Sequence, residues 1–163
     1  MKLLSLDTST TCTGYAVYEN GELIKYGCLT HDKKARLKQD EKMQEMVKMI
    51  YRLMDELEPK IVAIELTAVA RNVQVQRNLT MMLGAVYGYC VSRKIYFYSF
   101  RPSEWRNRVT PEKKPRKRDE LKEWSKNQVK EIFKIELDSD DTSDAILIGY
   151  AYYMEFGREY LKV

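Results

Sequence analysis

Three short runs rich in apolar and β-branched residues open the chain, Lys2 to Leu6, Thr13 to Tyr18 and Leu23 to Leu29, with Asn20-Gly21 between the last two. Asn-Gly between apolar runs favours a tight hairpin turn, so three consecutive antiparallel strands are predicted. Met43, Met46, Val47, Ile50, Leu53, Met54 and Leu57 then recur at helical spacing until Pro59 stops the pattern. That periodicity predicts an amphipathic helix of about five turns.

Ile61 to Ile64 is an uninterrupted apolar run ending at Glu65, the pattern of a strand buried on both faces in mid-sheet. A second helix is predicted over roughly Val73 to Ser92. It is apolar on nearly every side around Leu79 to Val91, which implies burial on two faces, within the domain or against a second subunit. Gly84 and Gly88, four apart, would let another backbone approach closely. A fifth strand (Ile95 to Phe100), a short helical or irregular piece (Pro102 to Val109) and a basic loop with two prolines (Thr110 to Arg118) follow. Helices over Asp119 to about Phe133 and Thr142 to about Phe156 complete the chain. The order predicts a mixed five-stranded α/β sheet flanked by helices. With 163 residues and no repeat or linker, a single domain over 1–163 is expected.

Composition narrows the chemistry. The single histidine, His31, excludes zinc sites built on paired histidines, and its charged neighbours mark it as a solvated loop residue. Cys12, Cys28 and Cys90 are odd in number and share no C-x-x-C spacing, so they read as reduced interior thiols. The apolar run before Asp7 is too short for a signal peptide, and no stretch of about 20 apolar residues occurs. A soluble, cytoplasmic protein without a membrane partner is therefore expected.

The net charge of +4 says little until it is divided along the chain. From Arg101 to Lys130 there are eleven Lys/Arg against five Asp/Glu, whereas Glu136 to Asp144 carries five carboxylates and no base. A basic flank beside an acidic cluster suits an enzyme that acts on a polyanion through bound cations. Asp7 ends the first strand and Glu65 ends the buried fourth. Asp141 and Asp144, three apart, project from one face of a helix whose continuation, Ala145-Ile-Leu-Ile148, packs on the core. Carboxylates gathered without a histidine or arginine partner repel one another, and divalent cations relieve that repulsion. Oxygen-only ligands suit Mg²⁺ or Mn²⁺, and a pair of ions about 4 Å apart can clamp the attacking water and the leaving oxygen of a phosphodiester.

These residues also carry a resemblance. Leu6-Asp7-Thr-Ser-Thr-Thr-Cys-Thr13-Gly14-Tyr15 resembles the first motif of the RuvC-type Holliday junction resolvases. Val62-Ala-Ile-Glu65, followed by Asn72 and Leu83-Gly84-Ala-Val-Tyr-Gly88, resembles the second, and Asp141-Thr-Ser-Asp144-Ala-Ile-Leu-Ile-Gly the acidic last motif. The short length and the Arg101-Pro-x-x-Trp105-Arg segment look most like phage-encoded members. The resemblance implies a ribonuclease H-like fold and a homodimer that makes paired symmetric nicks across four-way DNA junctions. It also implies that Asp7, Glu65, Asp141 and Asp144 are catalytic and bind two Mg²⁺ ions, for which Mn²⁺ substitutes. Lys113, Lys114, Arg116, Lys117 and Arg118 match the DNA-backbone-binding region, with Lys117 the candidate catalytic lysine. If the gene is phage-borne, the setting is the cytoplasm of a bacterial host.

Two positions depart from the family. Ser9 replaces the usual glycine two residues after the first Asp, and Ala68 replaces the aromatic wedge three residues after the Glu. Selectivity among branched DNAs is therefore expected to differ. Arg71, Asn72, Gln74 and Arg77 can contact phosphates, although an exposed polar helix start accounts for them equally well. Two alternatives remain at this stage: a catalytically inactive junction-binding module, and an actin-like-fold protein resembling those of tRNA threonylcarbamoylation. The latter requires glycine-rich phosphate loops, and this chain has seven glycines and no Gly-Gly pair.

Overall fold

The computed structural model describes residues 1–32, 36–66 and 72–162. Strands β1 (Lys2–Asp7), β2 (Cys12–Glu19), β3 (Glu22–Thr30), β4 (Ile61–Glu65) and β5 (Tyr96–Phe100) form one sheet in the order β3-β2-β1-β4-β5. The first three pair antiparallel, and β4 and β5 join parallel to β1. Asn20 and Gly21, both at positive φ, make the β2–β3 turn as the Asn-Gly signal predicts.

Alternation along the strands separates two cores. Leu4, Leu6, Val17, Val62 and Ile64 face Met46, Ile50 and Met54 of helix α1 (Gln39–Leu57) and Met82, Val86 and Cys90 of α2 (Val73–Ser92). On the other face, Leu3, Ala16, Tyr18, Ala63 and Phe100 meet the buried side chains of α3 (Pro102–Val109), α4 (Arg118–Phe133) and α5 (Asp140–Phe156). Trp105 of α3 is fully buried there. Burial of a side chain of that size contributes roughly 3 kcal/mol. A short 3₁₀ turn, Arg158–Tyr160, follows α5 and packs over the Asn20-Gly21 corner, and Lys162 beyond it bridges to Glu22 of β3.

α1 begins at Gln39, four residues before the apolar periodicity, because the Glu41 carboxylate accepts from the Lys38 backbone N–H. α5 begins at Asp140 rather than near Thr142: Ser139 caps it by accepting from Thr142 N, and Asp140 and Asp141 sit favourably at the positive end of the helix dipole.

Two expectations are corrected and a third is narrowed. Cys12 and Cys28 are joined in a disulfide across the β2–β3 hairpin, with Cα atoms 6.1 Å apart, and Cys90 is the buried free thiol. Sequence spacing could not reveal this, because the pairing is created by strand register: Gly14 lies opposite Cys28, which leaves Cys12 diagonal to it on the same face. α2 buries Asn78, Met82, Val86 and Cys90 along a single face within the chain, while Met81, Tyr87 and Val91 remain exposed, which leaves packing against a second subunit as the remaining route to burial of the other face. His31 is half-buried rather than solvated, its Nε2 2.8 Å from the Thr10 carbonyl oxygen. Gln39 Nε2 donates to Thr10 Oγ1, so both contacts tether the loop that follows β1.

Candidate active site

The sheet brings the first pair of acids together. β1 and β4 are adjacent and parallel with Leu6 opposite Ile64, so Asp7 and Glu65, the next residue on each strand, emerge side by side at one sheet edge. β5 extends this edge, with Phe100 opposite Glu65.

Helix α5 supplies the second pair, and its position is set by close backbone approach. A Cβ on Gly14, the residue opposite Asp7 on β2, would lie 1.9 Å from the Asp141 carbonyl oxygen. Farther along, a Cβ on Gly149 would lie 2.3 Å from the Tyr18 ring. The buried Ser5 hydroxyl donates to the Ala145 carbonyl (2.7 Å) and the Tyr18 hydroxyl to the Ile146 carbonyl (2.7 Å). The first turn of α5, with Asp141 and Asp144, is thereby clamped against the ends of β1 and β2.

α3 closes the arrangement. It starts two residues after Phe100, and Trp105 Nε1 donates to Glu65 Oε2 at 2.5 Å. The Arg106 guanidinium, stacked on the Trp105 ring at 4.5 Å, lies 3.8 Å from both Glu65 and Asp144. All three charged side chains are only 18–19% exposed. Among the described residues, Arg106 Nε and Asp144 Oδ1 are buried without a hydrogen-bond partner.

Every acid of the cluster has a raised pKa, chiefly because burial disfavours the charged form. Asp7 lies well above the usual carboxylate range because Asp144, Glu65 and Asp141 add their repulsion to its burial. Burial takes Asp144 up to about 7, even though a Ser125 hydrogen bond and Arg106 oppose the shift. In Glu65 the Trp105 hydrogen bond and Arg106 offset part of the burial effect. Three cations, Arg106, Arg118 and Lys122, face five acids there, Asp140 included, which leaves the group short of positive charge. The orphaned Asp144 oxygen, the oxygen-only donors and the mutual repulsion together fit hard divalent cations.

The acids line an open cleft of about 360 Å³ with Thr8, Ser9, Thr10, Arg106, Arg118 and Lys122. Lys122 also holds Asp140 at 2.5 Å. Lys117 stands outside this lining, 83% exposed and 3.4 Å from Glu120. Lys113, Arg116 and Arg118 are exposed, whereas Lys114 is half-buried, donating to Asn107 Oδ1 and the Thr110 carbonyl. Asn72 caps α2 by accepting from Gln74 N and Val75 N, Gln74 donates to Asn78, and Arg77 is exposed. Arg71 and Ala68 lie outside the described residues.

Sequence reading missed Arg106 and Lys122, both of which look like solvated charge on helical segments. A signal for Arg106 did exist: it follows a tryptophan shortly after the strand that neighbours the Glu65 strand.

The family model for the crossover junction endodeoxyribonuclease RuvC matches residues 3–151. No curated protein sequence matches the chain. Among solved structures, Thermus thermophilus RuvC in complex with a Holliday junction substrate is similar at TM-score 0.73 and 16% identity, covering 96% of each chain. The Fowlpox virus resolvase, solved with Holliday junction DNA, matches at TM-score 0.64 and 15% identity, covering 95% of this chain and 97% of the other. The yeast mitochondrial Holliday junction resolvase Ydc2 matches at 0.63 and 14%, covering 97% and 82%. These likenesses show the ribonuclease H-like fold, and the match across nearly the whole length places the chain in the RuvC family of crossover junction endodeoxyribonucleases.

Proposed function

We propose that the protein is a single-domain, Mg²⁺-dependent endonuclease that resolves four-way DNA junctions by paired symmetric nicks. RuvC-type nucleases depend on divalent metal. The observation that carries the reading is the convergence of acids from β1, β4 and α5 on one cleft flanked by the basic start of α4. Asp7, Glu65, Asp141 and Asp144 would hold two Mg²⁺ ions, or Mn²⁺ in their place. Bound there, the ions supply Lewis-acid activation of water and charge neutralisation at the scissile phosphate.

The chain's own side chains do the rest. Trp105 fixes the Glu65 carboxylate through its indole N–H. Arg106 neutralises Glu65 and Asp144 until cations arrive, and its guanidinium is then free to turn to a phosphate oxygen. Arg118 and Lys122 draw the DNA backbone into the cleft. Lys113, Lys114, Arg116 and Lys117 follow the backbone outward, with Lys117 the candidate to assist the reaction from the rim. Asn72, Gln74 and Arg77 at the start of α2 add further phosphate contacts, and Arg71, outside the described residues, is assigned the same role from the sequence. The same reading carries a phage-borne gene acting in the cytoplasm of its bacterial host; among the described residues, no helix is long and apolar enough to cross a membrane.

The test is nicking and binding of four-way junctions, flaps, forks and linear duplex, with and without Mn²⁺, at two salt concentrations. Metal-dependent nicking of the four-way junction is expected. With several phosphate contacts, binding should fall on the order of 10³-fold between 50 and 200 mM salt. Binding that does not change with salt, or a junction left intact in Mn²⁺, refutes the reading.

The homodimer finds its support on α2. Met81, Tyr87 and Val91 are exposed, and a Cβ on Gly84 or Gly88 would meet nothing within 4 Å. An apolar helix face with glycines one turn apart suits close packing against a second copy. Met81→Lys is expected to yield a monomer by sedimentation and to abolish paired nicking while leaving the fold unchanged by circular dichroism. A dimer that survives Met81→Lys together with Gly84→Arg would place the interface elsewhere.

A further inference from the structure

We propose that Cys12, Cys28 and Asp141 form a redox-gated site for a thiophilic divalent cation such as zinc, beside the carboxylate cluster and sharing one ligand with it. Gly14 lies opposite Cys28, and Cys12, two residues before Gly14, points to the same side of the sheet. That side is the one against which the first turn of α5 is pressed through Gly14. Both sulfur atoms and a carboxylate oxygen of Asp141 consequently lie within 4.8 Å of one another, and all three residues are half-buried. Tetrahedral zinc, with Zn–S near 2.3 Å and Zn–O near 2.0–2.2 Å, holds its ligand atoms about 3.8 Å apart or less. Once the sulfurs are no longer bonded to each other, the widest of these separations has about 1 Å to close.

The two sites differ in chemistry. The carboxylate cluster offers only oxygen and suits hard cations, whereas two thiolates and one carboxylate select a softer ion. In the disulfide form neither sulfur has a lone thiolate to offer, so the soft site is closed. Reduction by a phosphine opens it: the phosphine gives two electrons and becomes its oxide with oxygen from water, and the water hydrogens leave two thiols on the protein. Each thiol passes its proton to solvent as its bond to zinc forms. Zinc held there draws the Asp141 carboxylate toward the hairpin and away from Asp7 and Asp144. Loss of nicking is thus expected from a change at two cysteines that take no part in the reaction. Zinc binding itself stands apart from the nuclease reading; only the inhibition rests on it.

The experiment titrates zinc chloride alone into the full chain by calorimetry, without DNA, in the disulfide form and after phosphine reduction. The reduced chain is expected to take up one equivalent at least about a hundredfold more tightly than the disulfide form. Cobalt in place of zinc should give a near-ultraviolet thiolate charge-transfer band. Cys28→Ser and Cys12→Ser, each reduced, should lose the tight equivalent and the band, whereas Cys90→Ser keeps both. Equal zinc affinity in both redox forms, tight binding by reduced Cys28→Ser, or cobalt binding without the band overturns the proposal. In a Mg²⁺ nicking assay, one equivalent of zinc should inhibit reduced wild type and leave Cys28→Ser active. Tight zinc binding without inhibition removes Asp141 from the site. Absence of nicking in every protein, zinc or not, counts against the nuclease reading and leaves the zinc result standing.

Discussion

Asp7→Asn and Glu65→Gln proteins are each expected to fold, bind a four-way junction and nick it about 10³-fold more slowly than wild type, because on the proposed reading each loses a carboxylate that holds metal and with it several kcal/mol of transition-state stabilisation. The amides keep the shape of the acids, so the loss cannot be assigned to a collapsed cleft. A second readout separates this cause from misfolding. Asp7 is pushed up by burial and by the charges of Asp144, Glu65 and Asp141, so removing its charge relieves repulsion in the metal-free protein. Asp7→Asn should therefore melt at a higher temperature than wild type without metal and gain less from added Mg²⁺. Wild-type nicking by either variant sinks the assignment of the site, and a lower metal-free melting temperature for Asp7→Asn sinks its electrostatic basis.

Arg106→Ala is expected to have the opposite effect on stability. Its guanidinium is the positive charge between Glu65 and Asp144, and each side chain is less than one-fifth exposed. Removing one partner of a buried ionic group typically costs about 3 kcal/mol. The cost should depend on pH with a definite sign. Burial raises Asp144 to about 7 in the folded state, so its favourable protonated form is present at low pH and is lost as pH rises through that value. Arg106 limits the loss; without it the penalty opens between about pH 5 and pH 8. Thermal melts of both proteins at these two pH values, with and without Mg²⁺, measure this. The variant should match wild type near pH 5, fall well below it near pH 8, and recover when Mg²⁺ replaces the missing charge. It should also bind Mg²⁺ more tightly without DNA, because the cation no longer has to displace the guanidinium. A variant as stable as wild type at pH 8 without metal would show that Arg106 does not carry the acids' charge.

Much of the arrangement was legible in the sequence wherever one periodicity dominated. The Ile61-Val-Ala-Ile run could only be a central strand, and Asn20-Gly21 could only turn a hairpin, so Asp7 and Glu65 followed as strand ends. Asp141 and Asp144 were legible because the apolar residues after them fixed which face of their helix met the core. Contacts that depend on register were not. Arg106 reaches the acids because Phe100 lies opposite Glu65, a relation between residues 35 apart in sequence that no local pattern encodes. The Cys12–Cys28 pair is likewise a product of hairpin register. α2 was legible only in part, because its apolar residues cover more of its circumference than one chain buries, and only packing shows which face meets the sheet.

The contact between Gly14 and Asp141 bears on how the chain can change over time. It is a meeting of backbone with backbone, so the spacing between the strand-borne and helix-borne acids is not adjusted by exchanging side chains in the core around it. Drift in the hydrophobic layers can be extensive while the cleft keeps its dimensions. Adaptation to a cation of another radius is left to the rotamers of the acids themselves, and a residue larger than glycine at position 14 has to be met by moving the whole of α5.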